Sequence, residues 1–151
     1  MATQEFLKSS RGRIVDDLLI LKAKGTVATS MTGEDPLGTD KSYDTGGGAT
    51  RGDAVINVYS LDPSKAGDKY TMHIQGGKTS TFASLTDLAI VELGDATQIT
   101  RDVDSGVGRY IVPFSNDFDS TVYRYLRHYI TCSASVGTGI EYECYLSKMI
   151  S

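Results

Sequence analysis

The chain has 151 residues, a formal net charge of −4, 40% hydrophobic and 23% charged residues. That length holds one domain with a proper core and is short for two. The acidic balance argues against a general affinity for nucleic acid phosphates.

With 16 Gly, nine Tyr and no Trp, the composition leans toward a turn-rich, mainly β protein. The longest purely apolar run, Leu18 to Leu21, is far shorter than a bilayer span, which predicts no membrane partner. Met1 to Glu5 lacks the basic start and apolar stretch of a secretion signal. Neither cysteine lies in a C-x-x-C or Cys/His metal pattern, so a reducing compartment is expected rather than a disulfide framework.

Residues 1–12 carry little that specifies structure and are predicted to form an N-terminal arm, with residues 13–151 as a single β-sandwich domain. Ile14, Val15 and Leu18 to Leu21 fit a helix or a strand equally, and the strands that follow favour a strand over Asp17 to Ala23. From Thr26 to Asp53, glycines mixed with Asp, Thr and Ser predict a long loop. The triple glycine Gly46 to Gly48 lacks the Gly-Lys-Ser/Thr of a phosphate cradle. Arg51-Gly52-Asp53 matches an integrin-binding tripeptide, but it is read as the end of that loop before a strand.

Ala54 to Tyr59 is a predicted strand, Leu61 to Asp68 a turn region, and Lys69 to Gln75 a strand ended by Gly76-Gly77. Phe82 to Leu93 holds a short turn and then an apolar strand, with a helix over Leu85 to Leu93 as the alternative. Arg109 to Phe114 is a strand whose Pro113 places that end at an edge or a bulge. Ser115 to Ser120 forms a turn, and the expected total is six to eight short strands.

The stretch from Val122 to Leu146 organises this reading. Its even positions, Val122, Leu126, Ile130, Cys132, Ala134 and Val136, then Ile140, Tyr142, Cys144 and Leu146, are apolar and read as a core face. Its odd positions include Tyr123, Tyr125, Arg127, Tyr129 and Tyr145, a tyrosine-rich surface suited to protomer or partner contact, or else a second buried face. Gly137-Thr138-Gly139 predicts a hairpin loop whose last residue is left-handed, which would set Val136 opposite Ile140 and Cys132 opposite Cys144. Both thiols are then expected to be buried, neighbouring and free.

Little here points to catalysis. His128 falls on the core-facing side with Arg124, and His73 lies within a strand, so both read as hydrogen-bonded structural histidines. Asp102/Asp104 and Asp117/Asp119 are D-x-D pairs, read as turn formers rather than calcium ligands, and no cofactor is expected.

The order and spacing of several motifs resemble the cement proteins that decorate tailed-bacteriophage capsids. These are Ile74-Gln75-Gly76-Gly77, Phe82 to Leu85, Leu88 to Asp95, Gly108 to Asn116, Tyr123 to Arg127 and Gly137 to Ile140, within Tyr70 to Lys148. The resemblance implies a jelly-roll fold, a homotrimer on the outer surface of the virion, the phage major capsid protein as partner, synthesis in the host cytoplasm and no enzymatic activity. The alternative reading is a carbohydrate-binding β-sandwich, with exposed tyrosines stacking on sugar rings.

Overall fold

Alternating apolar and polar residues become long antiparallel strands wherever a β-branched or aromatic run is free of proline. The computed structural model describes residues 19–61, 67–94, 107–133 and 139–150, with side chains through Ser147. Its strands are β1 (Ile20–Val27), β2 (Met31–Thr32), β3 (Tyr43–Asp44), β4 (Arg51–Ser60), β5 (Lys69–Gly77) and β6 (Leu85–Gly94). They continue as β7 (Gly108–Ser115), β8 (Asp117–Phe118), β9 (Thr121–Val122), β10 (Tyr125–Cys132) and β11 (Ile140–Ile150). Among the described residues there is no α-helix: the strand takes Ile20 onward in the Arg13 to Lys24 segment, whose first part lies outside the described residues, and the helical alternative over Leu85 to Leu93 falls away. The arm at 1–12, the turn at 62–66 and the Asp102/Asp104 pair lie outside the described residues.

Two antiparallel sheets form a β-sandwich. One has the order β1-β11-β4-β7, and the other β2-β10-β5-β6, with β3 also paired to β10. Leu21, Ala54, Ile56, Tyr142 and Leu146 from the first sheet meet Tyr70, Met72, Ile74, Leu126 and Ile130 from the second in one buried cluster. Each such side chain removed from water contributes roughly 1.5–3 kcal/mol. Pro113 lies in β7, an outermost strand, where its missing N–H breaks no interior ladder.

The predicted hairpin is not formed. β10 pairs with β5, β2 and β3, whereas β11 pairs with β1 and β4, so the two strands belong to opposite sheets. Alternation had correctly marked Leu126, Ile130, Ile140, Tyr142, Cys144 and Leu146 as core, but a core face says nothing about which strand lies alongside. The two faces meet across the sandwich: the Tyr142 hydroxyl lies 2.6 Å from His128 Nε2. Gly139 is left-handed as expected, at φ 86°. Cys132 therefore sits opposite Tyr70 and Cys144 opposite Ile56; both are free, Cys144 buried and Cys132 half-buried.

The segment expected to be a long loop is largely tied down. β2 and β3 add to one edge of β10, while Gly33 N donates to His128 O at 2.8 Å and Ala23 N to Glu34 O at 2.9 Å. The segment thus bridges β1 and β10 and closes that side of the sandwich. Asp35 Oδ1 accepts from the amides of Leu37 (2.9 Å) and Thr39 (3.0 Å), a side-chain-capped turn. Arg51-Gly52-Asp53 lies inside β4 rather than before it.

Buried Asn116 fastens the other end of that segment. Its Oδ1 accepts from Thr50 N at 2.7 Å, and its Nδ2 donates to Gly48 O and Tyr123 O, both at 3.0 Å. The expected turn at Ser115 to Ser120 contains a tight hairpin, β8 to β9, with Asp119 (φ 51°) and Ser120 (φ 63°) both left-handed, as a two-residue hairpin turn requires.

Gly76 and Gly77 end β5 as expected, as its last two paired residues, opposite Thr86 and Leu85 of β6. A Cβ on Gly76 would stand 2.7 Å from Tyr123 Cβ, and one on Gly77 2.6 Å from the Phe82 ring. The two glycines are seats for aromatic rings.

Candidate functional site

The outer face of the five-stranded sheet carries a cluster of polar and aromatic side chains. β10 is flanked by β5, and β5 by β6, so odd residues of β10 line up with His73 and Gln75 of β5 and with Asp87 of β6. Tyr125, Arg127 and Tyr129 recur at period two along the outward side of β10, each half-buried.

Polar contacts cross all three strands. Arg127 Nε donates to Gln75 Oε1 at 2.9 Å, and Gln75 Nε2 donates to Asp87 Oδ1 at 3.2 Å. Asp87 Oδ1 is also 3.2 Å from His73 Nδ1, and His73 Nε2 lies 3.2 Å from Thr131 Oγ1. Asp87, His73 and Thr131 follow the order of a nucleophile relay, but the geometry is wrong for one. His73 Nδ1 makes no hydrogen bond despite the nearby carboxylate, so Asp87 does not orient the ring as an acid–base relay needs. The array is instead a polar surface lattice.

Each outward tyrosine has a guanidinium beside it. Arg124 lies 5.4 Å from the Tyr125 ring centre and Arg127 5.6 Å from that of Tyr129. Arg124 also grips Asp44 of β3 with two bonds, Nε to Oδ1 at 2.8 Å and Nη2 to Oδ2 at 3.0 Å. That grip holds the Asp44 carboxyl below, and the Arg124 guanidinium above, their ordinary values.

Of the five residues predicted to share one contact face, the structure brings three together. Tyr125, Arg127 and Tyr129 do share it. Tyr123 precedes β10 and is only 8% exposed, its hydroxyl bonded to Thr86 Oγ1 at 2.8 Å above Gly76. Tyr145 is 4% exposed and belongs to β11 in the opposite sheet. Their assignment to an exposed face is corrected for both, because alternation gives the side of a strand but not what covers it. Arg124 and Val122, placed by the same alternation on the core side, are exposed, since regular pairing of β10 starts only at Tyr125.

Gln75 and Asp87 escaped the sequence reading. Gln75 was visible only as the end of the strand Lys69 to Gln75 and as part of the motif Ile74-Gln75-Gly76-Gly77, and its partner Asp87 stood in a segment where a helix was still open.

The opposite outer face is more fully settled. Arg109 Nε donates to Asn57 Oδ1 at 2.9 Å, and Asn57 Nδ2 and the Tyr59 hydroxyl both donate to Glu143 Oε1, at 3.0 and 2.6 Å. The bond to Glu143 pushes the Tyr59 hydroxyl up to about 12. Lys24 covers the Tyr59 ring at 4.2 Å.

Inside, His128 is fully buried. Its Nδ1 lies 3.0 Å from His73 O, an acceptor, so Nδ1 carries the proton and Nε2 accepts from the Tyr142 hydroxyl. Burial holds its pKa down to about 3, against the pull of the His73 carbonyl. Burial likewise pushes the Cys144 thiol up to about 12 and Cys132 to about 11, leaving both as protonated small hydrophobes. Both even-face readings of His128, core-facing and hydrogen-bonded, hold.

No protein-family model matches the chain, and no curated protein is significantly similar to it. No helix among the described residues is long and apolar enough to cross a membrane.

Proposed function

We propose that the chain is a structural virion protein: a capsid cement protein that binds the outside of a phage head as a homotrimer and stabilises the major-capsid lattice. The observation that carries the reading is the outward row Tyr125, Arg127 and Tyr129 on β10, with Arg124 beside Tyr125. Tyrosine and arginine on a rigid sheet give large contact area at little entropic cost, the composition of protein-binding hot spots. The motif order over Tyr70 to Lys148 supplies the partner, and the two-sheet architecture is compatible with the finer jelly-roll topology that the resemblance implies.

Tyr123 and Tyr145 drop out of the proposed contact set because they are buried. The carbohydrate-binding alternative is less well supported, since a guanidinium already stands over one face of each outward tyrosine ring.

A cement protein binds the folded lattice and so stabilises it by linkage. Expanded shells of the phage that encodes the chain should disassemble at a higher temperature with the purified protein than without it. Equal disassembly temperatures would reject the function, and light scattering that returned a monomer both free and on shells would reject the trimer.

A further inference from the structure

Where the turn after β5 and the segment between β2 and β3 come together over β10, they leave an open cleft of about 160 Å³. Arg127, Lys41 and Asp40 line it together with the hydroxyl-bearing residues Thr32, Ser42 and Ser80. Two cations against one carboxylate leave this lining with one net positive charge.

Arg127 is held in place by unusual means. Its Nε is bonded to Gln75, itself only 7% exposed and bonded in turn to Asp87. Its guanidinium lies 4.7 Å from the centre of the Phe82 ring. Phe82 adopts a left-handed backbone (φ 53°), an uncommon conformation for an aromatic residue, and its ring occupies the space a side chain on Gly77 would need. Backbone strain, a missing side chain and a buried amide all converge on one guanidinium. Strain of this kind collects where a fold positions a functional group.

The terminal nitrogens of Arg127 and the Lys41 ammonium have no hydrogen bond or ion pair among the described residues, and Asp40 is in no ion pair there. A fixed guanidinium fork with a second cation and a set of hydroxyl donors is the donor array that recognises an oxyanion. The volume is well below the ~300 Å³ at which drug-sized pockets begin, which restricts the ligand to a single small acidic group. We propose that this cleft is a binding site for an oxyanion, a carboxylate or phosphate group, with Arg127 as the principal ligand and Lys41 as the second. The cleft shares Arg127 with the proposed docking row, and free anions test it with no shell present.

The test is an NMR titration of the ¹⁵N-labelled full chain with inorganic phosphate and, separately, acetate, at constant ionic strength. Saturable shifts are expected at the Arg127 Nε–H and at the amides of Lys41, Ser42 and Ser80. Arg127→Lys, which keeps the charge and loses the fork, should weaken binding by about tenfold. Lys41→Ala, on the surface segment, leaves the fold intact and should weaken it by about threefold. Asp40→Asn removes the one negative charge and should tighten it by about twofold, an effect that a purely structural role would not produce. Preference for phosphate or for acetate names the group, and either keeps the proposal. Shifts that stay linear in anion concentration, that persist unchanged in Arg127→Lys, or that vanish in Asp40→Asn would overturn it.

Discussion

The two faces of β10 treat polar atoms in opposite ways. Inward, between Leu126 and Ile130, the single polar group His128 is satisfied at both ring nitrogens, by His73 O and the Tyr142 hydroxyl. Outward, Arg127 is bonded at Nε alone. The difference follows from the solvent: a buried polar atom must be fully paired or cost several kcal/mol, whereas one at the surface tolerates an incomplete set. The inward face holds the sandwich together, and the outward face keeps bonding capacity for something else.

Substitutions on the inward side should be costly. Leu126→Ala, at a fully buried position, should lower unfolding free energy by about 2–5 kcal/mol, read by urea denaturation. A loss below about 1 kcal/mol would mean that the two sheets are not packed through this residue.

Acid should act on the same face. The pKa of His128 is near 3 folded and about 6.5 unfolded, so below pH 6.5 the unfolded chain takes up the proton first. The stability present above pH 6.5 is then lost as pH falls toward 3, by roughly 3 kcal/mol between pH 7 and pH 4. Denaturation curves for the wild type and His128→Gln should differ in slope over that window, with the variant flatter. Parallel profiles would show that His128 is not buried as a neutral ring.

Tyr142→Phe removes the donor to His128 Nε2 and leaves that nitrogen buried and unpaired, a loss of about 1–3 kcal/mol. Thiol labelling is the smallest effect: the native protein should alkylate Cys132 slowly and Cys144 more slowly still, and denatured protein should yield two free thiols. Equal fast labelling of both would contradict the burial of Cys144.

The same strand explains what the sequence could and could not disclose. Period two along Leu126, His128 and Ile130, and along Ile140, Tyr142 and Cys144, is a local signal, and it marked the core correctly. Pairing between strands is not local. Gly139 has the left-handed backbone of a hairpin end, yet the two strands lie in different sheets, because the turn signal does not say which edge the chain joins next. The Gly/Asp/Thr-rich segment looked structureless for a related reason: Asp44 meets Arg124, and Thr50 meets Asn116, across more than 60 residues of sequence. Of the contact face, Tyr125, Arg127 and Tyr129 were legible from alternation within one strand. Gln75 and Asp87, which complete it, come from neighbouring strands whose register the sequence left open.

Docking of the outward face of β10 on a capsid lattice, as proposed, is measured by cosedimentation with expanded phage shells. Tyr125→Ala/Tyr129→Ala should change stability by no more than about 1 kcal/mol, as surface substitutions do. It should nevertheless stay in the supernatant at concentrations where the wild type pellets with shells. Wild-type pelleting of the double variant, with its melting temperature unchanged, would contradict the account.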